Sequence, residues 1–176
     1  MIVSAWRGLV GASLLCVGLA FPAAAETAEE AVAYAFMGLA DGASIERATT
    51  RMDWTEASAS PAVFDGRATI GGKPMSFTFT VNAVDSCHYE VMLKGEIVPG
   101  GGETLYARID LSAVTDVSIG ADTFRVDVGG DGFCETGRTN PDCMQVNRSD
   151  LFGRVDAARH AEAVAFIRDR VCPAAQ

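Results

Sequence analysis

Between Met75 and Asn82 the chain alternates without a break: Met75, Phe77, Phe79 and Val81 are apolar, and Ser76, Thr78, Thr80 and Asn82 are polar. Successive side chains of a β-strand point to opposite faces, so this pattern specifies a strand with one buried and one wet face. The same period recurs along the middle of the chain. Phe64, Ala68 and Ile70 alternate with Asp65, Arg67 and Thr69, and Cys87, Tyr89, Val91 and Leu93 alternate with His88, Glu90, Met92 and Lys94. Leu105, Ala107, Ile109 and Leu111 follow, then Val117 and Ile119, then Phe124, Val126 and Val128; a last short strand is expected around Met144–Val146. Gly71-Gly72, Pro99-Gly100-Gly101-Gly102, Gly120-Ala121-Asp122 and Gly129-Gly130-Asp131-Gly132 punctuate these runs. Short strands separated by such turn formers predict an antiparallel meander of about six or seven strands.

Helical signals flank the meander. Thr27-Ala28-Glu29-Glu30 is a capping box, in which the Thr27 hydroxyl and the Glu30 carboxylate satisfy each other's backbone amides. Ala28, Ala31, Val32, Ala35, Phe36 and Leu39 then recur at helical spacing, which predicts a helix from Ala28 to Ala40 stopped by Asp41-Gly42. At the other end Asp156 is an N-cap candidate. His160, Ala163, Val164, Ile167 and Val171 share one face, with Arg159, Glu162, Asp169 and Arg170 mostly on the others, and Pro173 ends the helix. The expected class is α+β: an N-terminal helix, the antiparallel meander as a half-barrel, and a C-terminal helix packed on the sheet.

This order resembles the pleckstrin-homology-like half-barrel. The stretches Ile109–Gly130 and Arg159–Cys172 resemble small secreted bacterial domains of unknown function. The resemblance runs from Phe77 to Cys172 and carries no motif of known chemistry, so it implies a fold and no site residues. The helix at Ala28–Ala40 departs from a plain half-barrel; an alternative arrangement is a cone-shaped sheet wrapping a helix.

The first residues read as an address. Arg7, the apolar run Gly8–Phe21 and Pro22-Ala23-Ala24-Ala25 form a secretory signal peptide over residues 1–25, cut between Ala25 and Glu26. The competing readings are a membrane anchor, for which the run is short, and lipidation at Cys16, which follows Leu15 where a small residue is required. Residues 26–176 are then a single periplasmic or secreted globular domain, with no further run long enough to cross a bilayer. Twelve arginines against two lysines fit a bacterial source.

Without Arg7, 13 basic residues face 23 acidic ones. That balance offers no electrostatic footprint for nucleic acid.

Cys87, Cys134, Cys143 and Cys172 remain after Cys16 leaves with the signal, and an even count in an exported chain reads as two disulfides. Three pairings are open. Cys134–Cys143 and Cys87–Cys172 are favoured, the first closing a short turn-rich loop and the second tying the last helix to a central strand. Zinc is not expected, because C-x-x-C spacing and neighbouring histidines are missing; no other cofactor is implied.

Few residues offer chemistry. Cys87-His88 brings a thiol beside an imidazole, but adjacent strand residues face opposite ways, so His88 is expected on the surface beside Glu90. His160, in the first turn of the last helix, could act as a base beside Asp150 or Asp156, or pack at the helix–sheet seam with a backbone partner. No G-x-S-x-G supplies a serine nucleophile. Asp127, Asp131 and Glu135 could hold calcium, although Gly129 and Arg138 stand where an EF-hand needs oxygen ligands; a glycine-rich hairpin end is the alternative. Asn147-Arg148-Ser149 matches a glycosylation sequon. Three functions are compatible: an exported non-catalytic module binding a protein or small ligand, which we favour; a small periplasmic hydrolase using His160 or His88 with an acidic partner; and an assembly subunit of the cell envelope.

Overall fold

In a computed structural model, residues 26–96, 98–137 and 140–173 are described; the expected signal segment 1–25 lies outside them. The capping box forms as read. Thr27 Oγ1 accepts from the Glu30 amide at 3.2 Å and Glu30 Oε2 accepts from the Thr27 amide at 2.6 Å. Helix α1 runs Ala28–Met37. It stops earlier than Asp41-Gly42, because Gly38 takes the left-handed conformation (φ 68°) that closes the last turn. This glycine is held by contact as well as torsion: a Cβ on it would sit 2.7 Å from the Gly153 carbonyl oxygen.

Eleven strands follow among the described residues, more than the six or seven expected, and they form two antiparallel sheets. The strands are β1 (Ser44–Arg47), β2 (Thr50–Ala59), β3 (Ala62–Ile70), β4 (Lys73–Ala83), β5 (His88–Gly95), β6 (Glu103–Asp110), β7 (Val114–Ile119), β8 (Arg125–Gly130), β9 (Phe133–Gly137), β10 (Asn140–Gln145) and β11 (Arg148–Asp150). The larger sheet has the order β1-β2-β3-β4-β5-β6-β9-β10, and the smaller the order β11-β8-β7. The Gly71-Gly72 hairpin forms, both residues at positive φ, and pairs Ile70 with Lys73.

The chain is therefore not one uninterrupted meander. β6 pairs with β9, and the β7–β8 hairpin between them leaves for the second sheet. The glycines of Gly129-Gly130-Asp131-Gly132 explain how. A Cβ on Gly130 would lie 2.1 Å from the Ala113 carbonyl oxygen, and one on Gly132 would lie 2.2 Å from that of Asp110. The segment is not a plain hairpin end. It is where the chain, returning from β8 to β9, crosses the β6–β7 corner with backbone against backbone.

Helix α2 (Ala157–Phe166) is capped by Asp156, whose Oδ1 accepts from the Arg159 amide at 2.9 Å, and it continues as a π-helical turn over Ile167–Val171. It packs chiefly against α1 rather than on the sheet as expected, because α1 already lies between it and the strands, with His160, Ala163 and Ile167 buried. α1 itself is enclosed: every residue from Ala31 to Met37 is buried, and the helix touches β3 and β4 of one sheet, β8 and β11 of the other, and α2. One continuous apolar core joins all of these elements.

Both disulfides take the favoured pairing. Cys87–Cys172 joins the turn before β5 to the end of the C-terminal helical segment, and Cys134–Cys143 joins β9 to β10. Their sequence separations are 85 and 9. Replacing Cys87 and Cys172 together by serine should cost about 4–5 kcal/mol in the chain-entropy account, against about 2–3 kcal/mol for Cys134 and Cys143. Urea unfolding of the two double variants checks the order.

Candidate functional site

The residues singled out from the sequence do not converge. His160 Nε2 lies 3.0 Å from the Ala35 carbonyl oxygen and seals the α2–α1 seam. Asp156 is occupied as the helix cap, and Asp150 accepts from Arg125 Nε at 2.9 Å. His88 is exposed as expected, but its neighbours are Asp85 and Asp110 rather than Glu90. Its Nδ1 lies 2.9 Å from Asp85 Oδ1 and its Nε2 3.5 Å from Asp110 Oδ1. Hydrogen bonding to Asp85 raises the imidazole pKa and so favours the imidazolium. The nearby Ser112 hydroxyl donates to Asp110, not to the ring. Asp127 and Asp131 are exposed on and just after β8, whereas Glu135 belongs to the other sheet. Among the described residues no group of three acidic, histidine or cysteine side chains is placed to hold a metal. Arg148 of the sequon triplet lies on β11 with Ser149 buried.

The concave geometry lies elsewhere. α1 starts at one end of the large sheet, where Thr27 Oγ1 donates to the Ala59 carbonyl oxygen at 2.7 Å beside the paired residues Ala62 and Val81. Towards the opposite ends of β4 and β5 the inner face is left partly unfilled. A groove of about 400 Å³ opens there, walled by Phe77, Phe79, Leu93, Leu105, Tyr106 and Phe152. Small-ligand pockets have volumes of roughly 300–1,000 Å³.

Two local features build its wall. The first is the segment 151–154 between β11 and α2. Its amides are tied down on three sides: Leu151 to the Phe124 carbonyl, Phe152 to that of Met37 and Arg154 to that of Ser44. The Trp54 indole donates to the Phe152 carbonyl at 2.7 Å. The Phe152 ring is thereby held 4.8 Å from Phe79 and 5.8 Å from Tyr106, centroid to centroid.

The second is a β-bulge. Val91 pairs with Ala107 but Met92 pairs with Leu105, leaving Tyr106 as the extra residue on β6. Simple alternation puts Leu105 inside and Tyr106 outside; the bulge instead turns the Tyr106 ring to the inner face beside Ala107 and leaves Leu105 opposite Met92 at the rim of the groove. The Thr136 hydroxyl on β9 meets the carbonyls of Leu105 and Tyr106 and fixes that distortion.

At the end of the groove the surface becomes polar. The Tyr106 hydroxyl donates to Glu135 Oε1 at 3.2 Å. Glu135 shares the inner face of β9 with Phe133, and its register partner on β6 is Ala107, small enough to leave the carboxylate room. Burial raises the pKa of Glu135, the Tyr106 hydrogen bond lowers it, and the Asp150 charge raises it further; the net shift is upward. Burial, aided by the Glu135 and Asp150 charges, also holds the Tyr106 phenol well above its ordinary range, so it stays a donor. Beyond Glu135 a polar slot of about 560 Å³ opens between β11 and the β9–β10 hairpin.

The sequence contained a sign of this site. Leu105-Tyr106-Ala107 places three apolar residues in a row within a period-two strand, a departure that a bulge accommodates. Phe152 and Thr136 had no comparable signal, since their roles depend on partners far away in the chain.

No family model, no curated protein and no solved structure matches this chain.

The Glu135 shift has a testable sign. A carboxyl that binds its proton more tightly in the folded state stabilises the fold only while it is protonated. That contribution is present below the unfolded value and is lost as pH rises through the folded one. Glu135→Gln should therefore melt close to the native protein at about pH 4 and above it, by a few degrees at most, at about pH 8. Equal melting differences at the two pH values would contradict the assignment.

Proposed function

We propose that the protein is an exported, non-catalytic binding module that holds a small apolar ligand in the groove between the aromatic inner face of the large sheet and Phe152. The observation that carries this reading is the bulge at Tyr106. It turns a tyrosine beside Phe79 and Leu105 onto a stretch of inner face that α1 does not fill. A well-packed domain leaves few voids larger than a water molecule. A cavity of this size with a fixed aromatic wall has the character of a binding site. Both histidines are engaged away from it, His160 with a backbone carbonyl and His88 with two surface aspartates.

Export is supported by the Arg7, Gly8–Phe21 and Ala23–Ala25 pattern and by the two disulfides, which persist in oxidising compartments. Among the described residues no helix is long and apolar enough to cross a membrane.

The test is equilibrium binding of the neutral fluorophore N-phenyl-1-naphthylamine to residues 26–176. Saturable binding at one site is expected. Met52→Trp and Leu93→Trp, at two inner-face positions that line the groove, should each weaken it about tenfold or more, a difference of about 1.4 kcal/mol or more, while His88→Ala leaves it unchanged. Binding unaffected by both tryptophan variants would overturn the assignment.

A further inference from the structure

The groove and the polar slot adjoin. Asp150 borders both cavities. Tyr106 lies in the wall of the groove, and its hydroxyl reaches Glu135, which borders the slot. A ligand that fills the groove and extends past Tyr106 and Asp150 reaches Glu135 at the edge of the slot. The occupant must be apolar along its body and polar at one end, because burying an uncompensated carboxylate against an apolar surface is costly.

The charges at that end decide what the polar group is. Glu135 is half-buried, and Tyr106 occupies one of its oxygens. Arg125 brings positive charge, but it is already engaged: its Nε donates to Asp150 at 2.9 Å and its Nη1 lies 3.7 Å from Asp122. Arg148 stands on the exposed rim of the slot, opposite Asp127 in the β11–β8 register, and Asp131 adds a further negative charge. The carboxylate nearest the apolar wall thus has acceptor capacity left over, while the guanidinium nearest it is paired. The chain as a whole carries 23 acidic against 14 basic residues, which disfavours the approach of an anion.

Building on the binding-module reading, we propose that the ligand is a cationic amphiphile, its hydrocarbon or aromatic body in the groove and its ammonium head donating hydrogen bonds to Glu135. Charge-assisted hydrogen bonds of this kind are stronger than neutral ones and are strengthened further where water is partly excluded. An amine gains a hydrogen bond and an ion pair with Glu135; an alcohol of the same length gains the hydrogen bond without the ion pair; a carboxylate meets repulsion from Glu135 and Asp150.

Calorimetric titration with dodecylamine, dodecanol and dodecanoate at neutral pH, each below its aggregation or solubility limit, separates the possibilities. The amine should bind at least about tenfold more tightly than the alcohol, and the carboxylate least well. Glu135→Gln should abolish most of the amine's advantage and weaken dodecanol by about threefold at most, because the amide oxygen still accepts from a hydroxyl; a far-UV circular dichroism spectrum equal to the native one shows that the variant is folded. Dodecanoate binding tightest, which would assign the head to Arg148, overturns the proposal. So does an amine preference that survives Glu135→Gln. Equal binding of all three would leave the groove as a site and remove the head-group assignment, and binding of none would remove the groove itself.

Discussion

Beyond its first turn, helix α1 presents no face to water. From Ala31 to Met37 each residue is buried, so the two sheets and α2 must close around it on all sides. A helix apolar all round has no stable place on a surface. Phe36 and Met37 alone each gain about 1.5–3 kcal/mol from full burial. The alanines at 31, 33 and 35 let neighbouring elements approach closely, while Phe36 stacks on Phe133 of β9 at 5.7 Å. The helix is only ten residues long and the sheet has eight strands, so it cannot fill the whole inner surface. The groove is the part left over, walled by Phe152, whose amide donates to the last α1 carbonyl, that of Met37.

Closing the structure round a helix requires the chain to change sheets, and it does so with the β7–β8 excursion. The crossing near Gly130 and Gly132 leaves no room for side chains, and the Asp110 carboxylate holds the β6–β7 corner through the Ser112 amide and hydroxyl. The disulfides secure the two places where this arrangement is most open. Cys87–Cys172 holds the C-terminal helical segment against the start of β5, and Cys134–Cys143 holds the short β9–β10 hairpin at the sheet's edge. Glu135 lies between Cys134 and Thr136 on that hairpin, so the second disulfide also anchors the strand that carries the polar end of the groove.

Much of this was legible where the physics is local. The capping box, the Gly71-Gly72 turn, the strand at Met75–Asn82, the Asp156 cap and the buried face of α2 each depend on residues close in sequence. The disulfide pairing followed from where the loops lie. What sequence reading missed depends on distant partners. β1 and β2 have few buried positions, with Ile45 and Trp54 the fully buried ones, so their alternation is faint. The helix over Ala28–Ala40 is legible from its one-sided spacing, and the uniform apolarity of Ala31–Ala40 also marks it as enclosed. The β6–β9 pairing skips a hairpin, and strand order of that kind leaves no trace in periodicity. Within the site, Tyr106 was hidden because period-two logic assigns it to the outer face. Glu135 was weighed as a calcium ligand because its neighbours in sequence are acidic, whereas its neighbours in space are Tyr106 and Ala107.

The central claim is that the unfilled end of the curled sheet, rather than either histidine or the glycine-rich crossing, is where this protein meets its ligand. The most direct measurement is an NMR titration of residues 26–176 with N-phenyl-1-naphthylamine, following backbone amide and aromatic shifts. The account predicts saturable changes centred on Phe77, Leu93, Leu105, Tyr106 and Phe152, with His88, His160 and Asp127 unmoved. Changes centred on His88 or on the glycine crossing, with the Tyr106 and Phe152 signals constant, would contradict it.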